Sequence, residues 1–577
     1  MRQRIIVISI TALTAFLMQA CKKDYLNRPP IASPTAATYY QSDVDIQNGT
    51  GPLYNGSWGG YNGTSLQYIG DVMGGNSLSD NYNGRGSYLN FTVTAQDPSG
   101  ALGSAYTALW SVVANANIVA HNIRNAGPGA SAAAKNAGLA ECYFMRAAAY
   151  YFITLNWGPV PIIYDNSIQL TDSSIRRNNL GDVWTFMIHD LAWATQNLPA
   201  TPLQPGRVSK WSAEGMLARA YLVRSGLGQS GGRNQTDLDS ARYYAGDVCN
   251  NSGLTLLPSY YDLFTSAVFS GNKVPSEYLF GLLWVPSGQW FVQNHMQANL
   301  AYDSKITQTG DGWGGSFGAS PSLLSYYMDP ANASDSIRRK ATIFLPNVDY
   351  PDINKAAGGW HVDTALFNNA TNSVGGAHIT APVTSGSYYG SDHAWVKKYV
   401  IGSPADNGGL GGSQNENIST YIFRLADVYL AYAEAILGNN ASTADAEALK
   451  YFNAVRARAG VAPRSSITYA DIFLEKKIEF AFEGHAWYDW KSWYYFDPAN
   501  ALQYFNTQNR GTYNITYNGG NSFVTWLNDE TNPATLGAHH YTMEANKTDL
   551  PLPASEALVA PSLGLAPVAF DFSKIKY

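Results

Sequence analysis

The chain has 577 residues, of which 45% are hydrophobic, 13% aromatic and only 14% charged, and its formal net charge is -6 at pH 7. Soluble domains usually contain ~25% charged residues, so much of this surface must be uncharged and polar. Binding of nucleic acid normally requires a clustered basic face, which argues against such a partner. The composition indicates a large core and a neutral ligand.

The N-terminus has the layout of a secretory leader. Arg2 and Arg4 precede an apolar stretch at 5–18, which is shorter than the ~20 apolar residues of a membrane span. We therefore expect residues 1–20 to be a signal peptide. A single membrane span is the alternative.

The segment around Cys21 carries a second signal. Residues 17–21, Leu-Met-Gln-Ala-Cys, resemble a bacterial lipobox, in which the cysteine is acylated and becomes the mature N-terminus. The alternative is an ordinary signal peptide with an incidental cysteine. We expect Cys21 to be the lipidation site and residues 21–38, which are rich in Pro, Ser and Ala, to be a lipidated tether.

Two other cysteines, Cys142 and Cys249, lie in segments predicted as helices. Cysteine commonly behaves as a small buried hydrophobic residue, so we expect free thiols. The count excludes both a disulfide framework and a Cys-based metal site.

Residues 39–253 are predicted as an N-terminal helical region. Apolar residues recur at helical spacing in 106–120 and 139–154, and Gly158 and Pro159 close the second of these helices. Further helices are expected at 180–197, 211–225 and 236–250.

The pattern changes twice in the rest of the chain. Residues 254–416 form a loop-rich insertion with short strand-like runs such as 278–284. Residues 417–500 are predicted as C-terminal helix pairs, and 501–577 as a loop-rich wrapping tail. The helices of the third region are expected at 421–438, 443–459 and 470–497. The fold is thus mainly α, with tetratricopeptide-like helix pairs in one structural unit (39–577), although no clean 34-residue repeat is visible.

Five groups of residues follow a shared pattern in order along the chain. They are 141–147 with 158–161, 206–210 with 217–222, 424–435, 453–460, and 475–491. In these segments the chain resembles the RagB/SusD family of outer-membrane nutrient-binding lipoproteins. It departs from the pattern at Cys142, where Ala is usual, and at Ala486, where Arg commonly follows the His.

The resemblance implies a helical scaffold that supports a loop-built ligand face, on the insertion. It also implies a cell-surface position on the outer membrane and partnership with a SusC-like TonB-dependent transporter. Most such proteins capture oligosaccharides, and a minority handle peptides.

Motifs for catalysis or cofactors are weak in this chain. Glu475, Glu479 and Glu483 are spaced for one helical face, which favours a solvated or ion-paired surface over an acid–base or metal site. Residues 310–315 match G-x-G-x-x-G, but neither flank suits a dinucleotide fold, so a ligand loop or plain turn is expected. His539 and His540 form an isolated pair. We predict no catalytic residue, no metal ligand and no cofactor, and leave open a calcium ion that orders the loops.

Aromatic and amide side chains are the candidate ligand contacts. The apolar faces of sugar rings stack on Trp and Tyr, while the hydroxyls need directional polar partners. One polar loop, 76–86, and three Trp in Gly-rich surroundings have this chemistry. The predicted contacts are Asn76, Asp80, Tyr82, Arg85, Trp290, Trp313 and Trp360. Core packing is expected instead for Trp110, Trp157, Trp211, Trp284, Trp487 and Trp490.

The sequence therefore predicts a non-catalytic, lipid-anchored glycan-binding protein that delivers nutrient to a transporter. Three alternatives stay open: a peptide-binding uptake lipoprotein, a helical-repeat scaffold for protein partners, and a glycoside-processing enzyme.

Overall fold

The computed structural model describes residues 39–54, 56–79, 84–169, 171–172, 174–229, 231–284, 294–302, 304–313, 317–345, 348–362, 372–374, 377–379, 394–511 and 540–577. Several predictions fall outside these residues. They are the signal peptide 1–20, the lipidation site Cys21, the tether 21–38, and the contacts Asp80, Tyr82 and Trp290.

The main α-helices form the scaffold of the described chain. They are α1 (Asp43–Thr50), α2 (Ala101–Arg124), α3 (Ala132–Trp157), α4 (Leu180–Asn197), α5 (Lys210–Ser225), α6 (Gln235–Asn251), α7 (Pro321–Met328), α8 (Ser336–Thr342), α9 (Leu425–Leu437), α10 (Ala446–Arg458), α11 (Tyr469–Glu479), α12 (Ala486–Phe496) and α13 (Pro498–Asn506). Short α-helical turns lie at Thr64–Leu66, Gly86–Leu89, Asn166–Gln169, Met296–Leu300, Ser304–Thr307 and Ala554–Val559, and a π-helix at Gln67–Met73.

Helix α3 shows why these segments are helical. The side chain of Ser131 caps its first turn by accepting a hydrogen bond from the N–H of Ala134, at 3.1 Å. The helix ends at Trp157, and Gly158 adopts a φ of 67° that suits glycine. Its second half is buried all round, because other helices cover both sides.

Consecutive helices pack against each other. Contacts link α2 with α3, α3 with α4, α4 with α5 and α5 with α6, and α6 then packs on α9. Helix α9 in turn contacts α10 and α11. This array of antiparallel neighbours confirms the predicted mainly α fold.

The strands are short and form two-stranded antiparallel ladders. The pairs are β1 (Ser77–Ser79) with β3 (Phe317–Ala319), β2 (Tyr278–Leu282) with β8 (Thr420–Arg424), β4 (Asp349–Tyr350) with β5 (Trp360–His361), and β6 (Asn372–Val374) with β7 (Ala377–Ile379). All except β1 and β8 lie in the loop-rich insertion.

Two predicted helices are wrong in their extent. The first residues of 421–438 form strand β8, since Tyr421, Ile422 and Phe423 are β-formers that pair with the buried strand β2. The predicted helix 470–497 is divided into α11 and α12.

The break between α11 and α12 has a tertiary cause. Phe482 and Gly484 both have positive φ, at 64° and 79°. Their N–H groups donate to the carboxylate of the buried Asp71, at 3.0 and 2.7 Å. A carboxylate from a remote segment thus holds the turn open, which helical periodicity cannot reveal.

The C-terminal segment packs on earlier helices. The N–H of Leu550 donates to the carbonyl of Asn156 at 2.6 Å, and the ammonium of Lys491 pairs with Asp549 at 2.6 Å. Val568 forms a β-bridge with Asn178. Residues 540–577 therefore tie the ends of the helical array together.

Both described cysteines are free thiols, as predicted. Cys142 is fully buried in α3, and Cys249 is partly buried near the end of α6.

Candidate ligand-binding surface

The register of β1 on β3 brings two predicted ligand segments together. Ser79, the last residue of β1, pairs with Phe317, the first residue of β3. The chain therefore leaves β1 at the end of the ladder where it enters β3. Of the predicted contacts, Arg85 follows Ser79 in the chain and Trp313 precedes Phe317. Both are therefore connected to the same edge of the ladder.

Arg85 lies near this edge. Its guanidinium sits over the ring of Tyr68, 5.5 Å from the ring centroid, and Tyr68 packs on Phe317 with centroids 4.9 Å apart. Arg85 is half-buried, so its guanidinium packs on an aromatic ring while part of the side chain faces solvent.

Trp313 is the described member of the predicted contacts that presents a large apolar surface. Its side chain is 52% exposed, although tryptophan is normally well buried. Its backbone N–H donates to the carbonyl of Ala298 at 3.2 Å, which fixes the backbone beneath the ring. An exposed, anchored indole is suited to stacking on the apolar face of a sugar ring.

Asp311 anchors the same loop from below. Its carboxylate accepts hydrogen bonds from the N–H of Gln414 at 2.7 Å and from the hydroxyl of Ser413 at 3.1 Å. Its carbonyl accepts from the hydroxyl of Thr307 at 2.8 Å. The turn also needs Gly312, whose φ is 90°. Buried hydrogen bonds thus hold the exposed ring in place.

Asn76 does not reach the surface, contrary to the predicted ligand contact. It is 1% exposed, and its amide donates to the carbonyl of Lys477 at 3.1 Å. The backbone carbonyl of Asn76 accepts a hydrogen bond from the N–H of Ser320 at 2.9 Å. The side chain joins the first ladder to α11, so burial removes it from direct contact with a ligand.

Trp360 is also placed inside. It is 2% exposed and pairs with Tyr350 across β4 and β5, where both rings join the main core. Its Gly-rich flanks in the sequence suggested a surface loop, but the ladder turns the indole inward. Trp360 therefore supports the fold and offers no ligand surface.

The tryptophans predicted as core are buried or partly buried. Trp157, Trp284, Trp487 and Trp490 are buried, and Trp110 and Trp211 are partly covered. The predicted core packing of these six residues is therefore confirmed, whereas the same reasoning failed to separate Trp360 from the exposed Trp313.

The three glutamates predicted on one helical face form buried ion pairs. Glu475 and Glu479 lie on α11, whereas Glu483 lies beyond its end, and all three are at most 3% exposed. The prediction of an ion-paired face is confirmed, but the face is interior and not solvated. The pairs join Glu475 to Arg338 (2.6 Å) and Arg456 (2.7 Å), Glu479 to Arg424 (2.7 Å) and Arg458, and Glu483 to Arg424 (2.9 Å) and Lys398 (3.0 Å).

The electrostatics of this cluster favour ionised carboxylates. Burial alone would raise the pKa of Glu479, but the guanidinium groups of Arg458, Arg424 and Arg338 outweigh it and lower the pKa to about 2. A carboxylate held in this state is a poor general acid at neutral pH. The cluster acts as a structural anchor for α8, α9, α10 and α11.

The Gly-rich motif at 310–315 does not adopt a dinucleotide-binding context. Its described part follows the short helix Ser304–Thr307 and precedes β3, the reverse of the strand–loop–helix order that such sites need. Residues 310–313 lie in neither a helix nor a strand, which agrees with the predicted loop or turn, and their contact with a ligand stays a prediction.

Sequence reasoning missed the role of Asp311 and its neighbour Glu416. Burial, followed by the nearby Asp311 carboxylate, raises the pKa of Glu416 well above its usual range. The two segments lie more than 100 residues apart in the chain, so no spacing rule connects them.

The described residues contain no group of three or more His, Cys, Asp or Glu side chains placed to hold a metal ion. None of their helices combines the length and the apolar character needed to cross a bilayer.

The profile of the SusD family matches residues 292–563, and the profile described as "Starch-binding associating with outer membrane" matches residues 24–222. A SusD-like protein of Bacteroides ovatus is 36% identical over 588 aligned residues, which cover 100% of this chain and 99% of that protein.

Solved structures agree. A structure described with a xylogluco-oligosaccharide is 35% identical, with a TM-score of 0.79, and the match covers 91% of this chain and 99% of that one. A laminarin-binding SusD-like protein, 21% identical with a TM-score of 0.65, shares the fold over 90% of this chain and 98% of its own. By full-length similarity and by its helical architecture, this chain belongs to the RagB/SusD family.

Proposed function

We propose that this protein binds an oligosaccharide at the cell surface without cleaving it and passes it to a SusC-like TonB-dependent transporter. The observation that carries the proposal is Trp313, an exposed indole on a loop anchored by buried hydrogen bonds. Arg85 lies near the same ladder edge and supplies a polar group.

The physical basis is the match between this surface and a neutral sugar. An aromatic ring contributes apolar contact and loses little side-chain entropy on binding. Arginine donates directional hydrogen bonds to hydroxyl groups. The predicted contacts Asp80, Tyr82 and Trp290 lie outside the described residues, and they stay part of the proposal on the chemistry of their side chains.

The relative that was solved with a xylogluco-oligosaccharide supports the choice of ligand class. At 35% identity over nearly the whole chain, related recognition is a reasonable starting point for a test. Xylogluco-oligosaccharides are therefore the first ligands to measure.

The proposed location follows from the lipobox. Acylation of Cys21 would hold the protein at the outer membrane, since more than one acyl chain gives stable anchoring. Residues 21–38 would then act as a tether that lets the binding protein open and close over the transporter.

The glutamate cluster supports a non-enzymatic function. Glu475, Glu479 and Glu483 are buried and engaged in ion pairs. Glycoside hydrolysis needs two carboxyl groups about 5–9 Å apart beside an accessible bond.

Calorimetry on the purified protein tests this proposal. We expect binding of xylogluco-oligosaccharides, and chromatography of the same samples should show the saccharides unchanged. Binding of peptides with no saccharide binding would favour the peptide-uptake alternative. Shortened saccharides would establish an enzyme, and no binding of either class would favour the protein scaffold.

A further inference from the structure

A buried arginine contacts both ends of the segment that carries Arg85. Arg510 follows α13 in the chain and is 1% exposed. The Cζ atom of its guanidinium lies 4.3 Å from the ring centroid of Phe91 and 4.8 Å from that of Phe505. These aromatic contacts hold the guanidinium in one place.

The donors of Arg510 reach two separate stretches of backbone. Nη1 donates to the carbonyl of Val72 at 2.9 Å and to that of Leu89 at 3.4 Å, and Nη2 donates to the carbonyl of Met73 at 2.8 Å. Val72 and Met73 are the last residues of the π-helix. Leu89 is the last residue of the short helix that begins after Arg85. Carbonyl groups at a helix C-terminus have no partner further along the helix, so they are available to an arginine.

These contacts bracket the polar loop of the proposed ligand surface. The chain runs from Met73 through β1 into that loop and returns at Arg85. Arg510 therefore holds both the stem that enters the loop and the stem that leaves it. The entering stem is packed closely, since a Cβ at Gly75 would lie 2.3 Å from Oε1 of Gln508 and 3.0 Å from Nη2 of Arg510.

The contribution of Arg510 is directional and does not come from an ion pair. Among the described residues it has no carboxylate partner, and burial lowers its pKa to about 9. The buried Arg424, in contrast, pairs with Glu277, Glu479 and Glu483. The planar fork of a guanidinium can serve acceptors on two segments at once, which is the geometry seen here.

We propose that Arg510 is a positioning residue for glycan recognition. By binding carbonyl groups at both stems, it fixes the placement of Arg85 relative to Trp313, and its own burial keeps it from touching the ligand. The effect on affinity rests on the proposed function. The clamp on the two stems does not depend on a ligand.

The variant Arg510→Lys keeps the positive charge and removes the fork. A lysine ammonium is a compact point charge and does not reproduce the planar set of donors. We expect the variant to bind a xylogluco-oligosaccharide about tenfold more weakly, as measured by calorimetry well below its melting temperature. A merely structural role would lower the melting temperature and leave the affinity of the folded protein unchanged.

Arg233→Lys is the matched control. Arg233 is 6% exposed, its Nη2 donates to the carbonyl of Gly438 at 2.8 Å, and its Cζ lies 4.7 Å from the ring centroid of Phe496. It thus has the same kinds of contact at the end of a different helix, α9. We expect this variant to melt at a lower temperature and to keep the saccharide affinity of the wild type.

Hydrogen exchange gives a readout that needs no saccharide. In Arg510→Lys we expect the amides of 74–79 and 84–90 to exchange at least about fivefold faster than in the wild type, while those of α9 are unchanged. Phe91→Leu provides a second variant, because it removes one ring beside the guanidinium and keeps the arginine. It should weaken binding in the same direction, by about two- to fivefold.

A double-mutant cycle identifies the route of the effect. Arg85→Ala should weaken binding less in the Arg510→Lys background than in the wild type, because both changes act through one loop. Trp313→Ala should weaken binding by the same factor in both backgrounds. Fully multiplicative effects of the Arg85 and Arg510 changes would show that Arg510 does not act through this loop.

Two further results would overturn the proposal. One is unchanged saccharide affinity in folded Arg510→Lys and Phe91→Leu variants of a protein that binds the saccharide as the wild type. The other is unchanged exchange of both stems in Arg510→Lys. Absence of saccharide binding in the wild type would instead contradict the proposed function, and hydrogen exchange would still decide whether Arg510 holds the stems.

Discussion

Ser79 and Phe317 pair directly across β1 and β3, although the segments they belong to lie more than 200 residues apart. This single register joins the polar loop that begins after β1 to the segment that carries Trp313. A shift of one residue would turn the side chains of both strands to opposite faces. The proposed ligand surface therefore depends on a short ladder that no local sequence pattern specifies.

The variant Trp313→Ala should weaken oligosaccharide binding by about 10- to 100-fold, because truncation of an exposed aromatic anchor costs about 1.4–3 kcal/mol. Calorimetry with a xylogluco-oligosaccharide measures the effect. Tyr243→Ala is the matched control, since Tyr243 is 68% exposed but lies on α6. Equal affinity in both variants would remove Trp313 from the site.

Removal of Arg424 should destabilise the whole fold. Its side chain is 0% exposed and pairs with Glu277, Glu479 and Glu483, so Arg424→Ala leaves several buried negative charges uncompensated. We expect a loss of about 3–5 kcal/mol in the free energy of unfolding, measured as a lower urea midpoint.

The control for this variant is a substitution of an arginine that lies at the surface. Arg464 is 51% exposed and lies 3.7 Å from Asp471, so Arg464→Ala should change stability by less than about 0.5 kcal/mol. Similar midpoints for the Arg424 and Arg464 variants would show that the buried cluster is energetically neutral.

We expect the stability of the folded protein to fall at acidic pH because of Glu479. Its pKa is about 2 in the folded protein, against about 4.3 for an unfolded glutamate, so the folded state binds the proton less readily. The stabilisation is thus fully present above the unfolded value and is lost as the pH falls from about 4.3 to about 2. Melting temperatures across this range should fall steeply in the wild type.

The Glu479→Gln variant should have a lower melting temperature than the wild type at neutral pH. Its melting temperature should also fall less steeply as the pH is lowered, since the titrating group is gone. Parallel curves for the two proteins would contradict the assignment. The comparison isolates one group because the other carboxylates remain in both proteins.

The turn between α11 and α12 should tolerate no side chain at Gly484. A Cβ there would lie 2.3 Å from the Cδ1 of Leu66, and the φ of 79° strains any residue other than glycine. We expect Gly484→Ala to cost about 1–3 kcal/mol or more. Gly103→Ala in α2, where a Cβ meets nothing within 4 Å, should be neutral or slightly stabilising. Equal melting temperatures would refute the close packing of this turn.

Anchoring is tested by Cys21→Ser. We expect the variant to move from the membrane fraction to the soluble fraction, while the purified protein keeps its affinity for saccharide, because the proposed lipidation site is distant in the sequence from Trp313. Fractionation followed by immunoblotting measures the change. Retention in the membrane would show that contact with the transporter suffices to hold the protein.

Periodicity in the sequence located the helices well where the surrounding structure left them undisturbed. Helix α4 was predicted at its observed ends, and the C-terminal end of α3 followed from Gly158. The extents failed where a remote partner intervened, as at β8 against β2 and at the turn held by Asp71. Those partners lie more than 100 residues away, beyond any local window.

The sequence by itself determined the helical scaffold, the family and the type of surface, since these depend on apolar spacing, ordered motifs and composition. Tertiary structure decided which aromatic side chains face solvent. Trp313 and Trp360 have similar Gly-rich flanks, yet one is exposed and the other lies in the core, because strand pairing turns the second inward. It also brought Asp311 beside Glu416, for contact between distant loops is set by packing and not by spacing along the chain.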